Sequence, residues 1–223
     1  MNYQFDFTPI WENFNALLAG CLSTLQLSIG AMVFVFVLSI GPAVLLHARP
    51  HSLAAKPFAA FVEIVRNTPF LVQIYFFFFG LPSAGLRLTP TQAALLALTI
   101  NGTAYSIEII RGGIASVNKG QIEAGFALGL HPLRIFRHIV LKPALRTIYP
   151  ALTNQFIFLM LTSSIAASIT ANELTSVAMH IGSVTFRSFE VFFVVGALYL
   201  VMSLFLSACF GILFKMAFSY PSR

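Results

Sequence analysis

The chain has 223 residues, 58% hydrophobic and only 9% charged, with 24 Phe and a mean hydropathy of +0.86. One soluble core cannot hide that much apolar surface, so the composition is that of a multi-spanning, all-α membrane protein. The net charge of +6 does not point to nucleic acid, because Lys and Arg lie in the connections between apolar runs without the interleaved aromatics of a base-stacking surface.

The N-terminal segment carries Asp6, Glu12 and Trp11 but no Lys or Arg. It lacks the basic start of a cleavable signal, so the first apolar helix is expected to stay, with Tyr3 and Trp11 as interfacial anchors. A spanning helix needs about 20 mainly apolar residues. Five stretches qualify: 17–46, 58–81, 91–110, 148–169 and 191–214. The first is long enough to tilt or to begin in the interface.

In the second span, Glu63 and Arg66 stand three apart on one helical face, which fits a structural ion pair and a gating pair equally well. Thr68-Pro69 should interrupt the hydrogen-bond ladder there, leaving a bend. The third span holds Asn101, Tyr105 and Glu108. A charge at bilayer depth costs at least about 2.5 kcal/mol unless it faces protein or water, so Glu108 is expected to pair with Arg111 on its own face or with Arg66 across helices. Interhelical packing is the default role for these groups, and substrate contact the alternative.

Arg111-Gly112-Gly113 has the form of a helix C-terminus, and the third helix is expected to stop there. A polar, basic island follows, 112–146. Residues 121–130 read as a short helix bearing the small residues Ala124, Gly125, Ala127 and Gly129, and His131-Pro132 opens a second helix with Pro at its first position. The plainest reading is an amphipathic hairpin at the membrane surface, with Arg134, Arg137 and Lys142 near anionic headgroups. The fourth span contains Asn154, Gln155, Thr162, Ser163, Ser164 and Ser168. Asn154, Gln155, Thr162 and Ser163 are the candidates for lining a pathway, against the alternative of small-residue packing.

The cations set an orientation. Arg49 and Lys56 follow the first span, Arg111, Lys119, Arg134, Arg137, Lys142 and Arg146 lie between the third and fourth, and Lys215 and Arg223 close the chain. The alternate loops hold only Arg87 and Arg187. The rule that positive loops stay inside places the N-terminus outside, and the C-terminus and the island in the cytoplasm. Cys21 and Cys209 both sit in apolar runs and read as packing residues, not as a disulfide or metal pair. There is no glycine-rich phosphate loop, and the five His show no metal-ligand spacing. No linker or internal repeat divides residues 1–223, which read as one transmembrane domain; that weakens a secondary-transporter reading.

The spacing in the island goes further. Glu123-Ala124-Gly125, with Gly129 six residues after the Glu, Ile139 sixteen after and Leu141 eighteen after, resembles the EAA loop of ABC importer permeases. The likeness extends over most of the chain: Thr24-Leu25-Gln26-Leu27-Ser28, Glu63 with Arg66-Asn67-Thr68-Pro69, Ala104 to Ile114, and Gly120-Gln121-Ile122-Glu123-Ala124 are similar to the polar amino acid uptake branch of that family. Three departures stand out. Gly125 replaces the third Ala, Lys142-Pro143 stand where Pro-Gln is usual, and Leu161-Thr162-Ser163-Ser164 replace a usual Lys-Asp-Thr-Ser, so substrate charge does not carry over.

The resemblance implies a type I importer permease fold with five spans, in a bacterial inner membrane. It implies a pathway between two permease chains, identical or sister, for a polar amino acid or related compound. A separate pair of ATP-binding subunits would bind ATP and Mg, so this chain would hold no cofactor of its own and would not be an enzyme. An extracytoplasmic solute-binding protein would deliver the cargo. The island would be the coupling element, with Gln121, Glu123, Ala124, Gly125, Ala127 and Gly129 at the contact and Glu123 either paired with a basic residue of the ATPase or capping a helix end; the bland alternative for Glu123 is a solvated loop carboxylate. The competing functions are an ATP-independent channel or secondary transporter, and a structural membrane subunit.

Overall fold

A computed structural model describes residues 4–217. Tyr3 and Arg223 lie outside the described residues. Among those described, every regular element is helical: α1 Thr8–Glu12, α2 Phe14–Ala48, α3 Lys56–Arg66, α4 Phe70–Tyr75, α5 Pro90–Ala115, α6 Lys119–Ala127, α7 Pro132–Ile135, α8 Leu141–Thr162, α9 Leu174–Thr185 and α10 Ser188–Ala217. A wide turn, Phe76–Gly80, and a tight turn, Leu81–Ala84, prolong α4, and Ser163–Ile169 prolongs α8.

Four stretches are long and apolar enough to cross a membrane, and a fifth is obtained if α3 and α4 count as one span. That second span is bent by 108°, far more than an ordinary proline kink. Pro69 supplies no N–H and disfavours a helical Thr68, so the ladder cannot run through.

Three expectations need correction. The third helix does not stop at Gly112-Gly113 but continues to Ala115. Gly113 is buried, and a side chain there would run into Ile148 of α8. This glycine serves close helix packing and not a left-handed turn. Second, the helix opened by Pro132 is not separate from the fourth span, although Pro132, Leu133 and Arg134 of α7 are exposed. It runs through the wide turn Phe136–Val140 into α8, so that Pro132–Ile169 forms one 38-residue stretch. Third, the interval between the fourth and fifth spans is not a simple loop.

That interval carries α9. Its N-cap, Glu173, is fully buried and accepts the N–H groups of Thr175 at 2.9 Å and Ser176 at 2.6 Å, while Tyr199 of α10 donates its hydroxyl at 2.8 Å. Thr24 of α2 accepts the Leu174 N–H at 3.0 Å. A buried carboxylate is tolerable only when so surrounded by donors. Beside α9, Arg187 holds the N-terminal segment to the start of α10. It donates to the Gln4 carbonyl at 2.9 Å and lies 4.0 Å from Asp6 and 3.5 Å from Glu190, which in turn accepts the Asp6 N–H at 3.1 Å. Trp11 is 71% exposed, as an interfacial side chain would be.

The core falls into two apolar clusters that share Phe156. One joins α2, α5, α9 and α10; the other joins α2, α3, α5, α7 and α8 around Ala43, Ile107, Ile110, Ile135 and Ile148. The second lies at the end of the bundle bearing Lys56, Arg111, Lys119 and Arg134, called here the basic end. Cys21 and Cys209 are both free.

Candidate functional site

The break between α3 and α4 releases backbone carbonyls that in hydrocarbon would each cost several kcal/mol. Those of Glu63, Ile64, Val65 and Thr68 are recovered locally or by one long side chain. Thr68 Oγ1 donates to the carbonyls of Ile64 at 3.0 Å and Val65 at 3.2 Å, and Asn67 donates to the Glu63 carbonyl at 2.8 Å and its carboxylate at 3.2 Å. Gln73, almost fully buried, donates through Nε2 to Val65 O at 2.8 Å, Thr68 O at 3.0 Å and Thr68 Oγ1 at 2.9 Å. Its Oε1 accepts from Asn101 of α5 at 3.0 Å. Gln73 was not singled out from the sequence. Its only signal there is a lone amide four residues past Pro69 in an otherwise apolar run.

A cavity of about 540 Å³ opens against this break. Arg66, Asn67, Thr68, Pro69 and Phe70 form one wall, Asn101 and Tyr105 of α5 a second, and Phe158, Thr162 and Ile165 a third. A chamber of that size with a few convergent polar groups on an apolar lining has the form of a small-molecule site.

Arg66 lines the cavity. Its guanidinium lies 5.5 Å from the centre of the Tyr105 ring and 3.6 Å from Glu108, which Arg111 also grips, at 3.0 and 2.6 Å. The expected pairing of Glu63 with Arg66 is not formed. Glu63 receives Asn67 instead, and both alternatives foreseen for Glu108 occur together. Arg66 also borders a second cavity, of about 240 Å³, with Glu63, Glu108 and Arg111 toward the basic end. Arg66 thus borders both cavities.

The four residues expected along a pathway do not converge. Thr162 lines the large cavity, and Gln155, two turns earlier, shares its helical face. Asn154 faces a separate groove between α8 and α10 with Tyr149, Thr153, Ser207 and Phe210. Ser163 is fully buried and donates to the Met160 carbonyl at 2.7 Å, which makes it a packing group.

The α6 region is built differently. Asn118 caps the helix by accepting the Gly120 N–H at 2.8 Å. At its other end Gly129 adopts a φ of +71°, with Gly129 N–H bonded to Phe126 O at 2.9 Å and Leu130 N–H to Gly125 O at 3.1 Å. These two bonds are the Schellman termination, and they explain Gly129 by backbone conformation. His131 then caps α7, its Nδ1 accepting the Leu133 N–H at 3.3 Å.

Gly125 does not face outward. It is buried against this chain's own Ile135 and Ile139, and a Cβ there would meet Ile139 Cδ1 at 2.8 Å. Gln121, Glu123, Ala124, Ala127 and Gly129 are exposed, and Glu123 makes no ion pair among the described residues. The surface around them shows Phe126 at 55%, Leu133 at 67% and Leu128 at 79% exposure, large apolar residues that sequence reading passed over.

Comparison with known proteins agrees with this architecture. Residues 36–217 match the family described as binding-protein-dependent transport system inner membrane component. The chain is 37% identical over 212 residues to the nopaline transport system permease protein of Agrobacterium fabrum, covering 91% of this chain and 88% of that one. It is 36% identical over 208 residues to the glutamine transport system permease protein of Escherichia coli, covering 92% and 94%. Among solved structures, a chain from a crystal structure of an amino acid ABC transporter with histidines superposes with a TM-score of 0.87 at 32% identity, covering 96% of this chain and all of that one.

Proposed function

Since the chain belongs to the family of binding-protein-dependent transport system inner membrane components, we propose that its 540 Å³ cavity is the membrane station of a polar amino acid or related compound. The chain is a permease subunit of an amino acid ABC importer, a multi-pass membrane protein, and the chemistry of ATP belongs to a separate subunit. The observation that carries the proposal is the cavity at the 108° break, lined by Arg66.

The parts then take these roles. The basic end faces the cytoplasm of a bacterial inner membrane and the N-terminus faces outward, as the distribution of Lys and Arg favours. Two permease chains, identical or sister, flank the pathway, and a solute-binding protein docks on the outer side. An ATPase pair, holding ATP and Mg, docks on α6 through Gln121, Glu123, Ala124 and Ala127, with Phe126 and Leu128 as apolar anchors. Gly125 and Gly129 serve that contact from within, one by seating α6 on α7 and the other by ending it. Because α7 continues through the wide turn Phe136–Val140 into α8, a push on α6 reaches Thr162 at the cavity wall as a rigid-body movement.

Arg66 and Glu108 act as the inner latch. Their side chains are 42% and 25% exposed, so the pair is screened and worth no more than about 1 kcal/mol. A latch that weak exchanges partners readily when helices shift. ATP closure turns the pathway outward and hydrolysis resets it inward, as a population shift between two states.

Proteoliposomes containing this chain with the ATPase and binding protein of its own transport system test the reading. Uptake of an L-amino acid that needs ATP and is lost in Glu123→Lys supports it. Uptake that proceeds without ATP overturns it in favour of a channel or secondary transporter.

A further inference from the structure

Gln73 holds more than the break. Two of the three oxygens facing its Nε2 are main-chain carbonyls, Val65 O and Thr68 O, which can only accept. The amide of Gln73 is therefore fixed with its NH2 toward the break and its Oε1 toward α5. Oε1 can only accept, so Asn101 must bring its own NH2 to that contact, made at 3.0 Å. The second amide is fixed by the first, through the donor and acceptor chemistry of the two groups. What remains is Asn101 Oδ1. Asn101 lines the large cavity, and its Oδ1 takes no hydrogen bond from any described residue.

We propose that Gln73 is a positioning residue that forces Asn101 to present a carbonyl oxygen, and not an NH2, to the 540 Å³ cavity, where it accepts a hydrogen bond from an N–H donor of the transported compound, such as an ammonium group. The relay Val65/Thr68–Gln73–Asn101 links the shape of the break to the polarity of the site. A cavity whose Asn101 were free to flip would offer a donor half the time and would discriminate less against ligands lacking the N–H.

This rests on the transport reading, and the experiment separates the two. The probe is whichever of the twenty L-amino acids, octopine or nopaline the wild-type complex takes up best in proteoliposomes with ATP, its ATPase and its binding protein. If none is taken up, the transport reading fails and this proposal falls with it. With a probe in hand, uptake is measured for Gln73→Met, Gln73→Glu, Asn101→Ala and the double variant Gln73→Met/Asn101→Ala.

Gln73→Met removes both functions of the amide and is expected to raise KM about tenfold. Gln73→Glu keeps an acceptor for Asn101 and is expected to leave KM near wild type while lowering the maximal rate and the thermal midpoint. Asn101→Ala should raise KM as Gln73→Met does, and the double variant should raise it no further, since both changes delete one interaction. Equal KM shifts in Gln73→Met and Gln73→Glu, an additive double variant, or an unchanged KM in Asn101→Ala would each overturn the proposal. The last arm leaves the donors at the break intact, so it decides even where Gln73→Met does not assemble.

Discussion

Two interruptions in the helices of this chain solve the same problem in opposite ways. At the α6–α7 turn the carbonyls released by the end of the helix are taken by the next two N–H groups of the chain, with Gly129 at φ +71° and a Schellman pair closing the turn. At the α3–α4 break they are taken by side chains, and the decisive one, Gln73, reaches on to Asn101, twenty-eight residues away in α5. The first interruption is self-contained and stiff. The second is shared between helices, so its geometry answers to their relative position. A coupling element needs the first property and a gate needs the second.

Substitutions that break one interruption should leave the other standing. The largest effect is expected from Gly125→Leu, which forces side-chain atoms into Ile135 and Ile139 where even a Cβ sits at 2.8 Å. It should cost about 1–3 kcal/mol by overpacking, read as a lowered thermal midpoint and loss of the co-purifying ATPase, with the cavity unchanged. Gln73→Met, which strands Thr68 O and leaves Val65 O to Thr68 alone, should cost about 2 kcal/mol. Here the ATPase is expected to stay bound while uptake falls, and a loss of both would show that the two interruptions are not independent. Gly129→Ala places a Cβ in the left-handed region and should cost about 1 kcal/mol, visible as weakened ATPase coupling at unchanged cavity affinity.

Glu108→Gln is expected to shift stability by less than about 1 kcal/mol, because its ion pairs are partly exposed and screened. Its signature should be functional, as ATP hydrolysis uncoupled from uptake; tight coupling in this variant would remove Arg66 and Glu108 from the gate. The smallest effect lies far from both interruptions. The Asp6 carboxyl is held below its ordinary range by the Thr8 N–H, the Thr8 side chain and Arg187. Its contribution is present above the ordinary value near 4 and fades only as pH falls below that. Trp11 fluorescence should therefore stay constant from pH 8 to about 5 and change only in stronger acid.

Much of this was legible in the chain itself. The apolar runs, the break at Thr68-Pro69, the Pro132 helix start and the polarity of the island follow from composition, proline chemistry and capping, all of which act within a few residues. The EAA-like spacing of Glu123, Gly129, Ile139 and Leu141 by itself points to the family. Gln73, α9 and the inward face of Gly125 were not legible. In a soluble helix the polar stripe marks the outside, but in a bilayer both faces are apolar. In α2, Val33, Phe34 and Val37 are exposed while Met32 and Val35 are buried, and nothing in their chemistry tells them apart.

The sequence by itself therefore determined what short-range physics controls: where helices can run, where they must end, and which connections carry charge. Only the tertiary structure decided what depends on neighbours remote in the chain. It gave Gly113 and Gly125 to close packing, turned Arg66 from Glu63 to Glu108, parted Asn154 from Thr162, and joined Gln73 to Asn101. The reason is that a buried polar group must find its partner wherever the fold brings one, and local sequence carries no record of where that is.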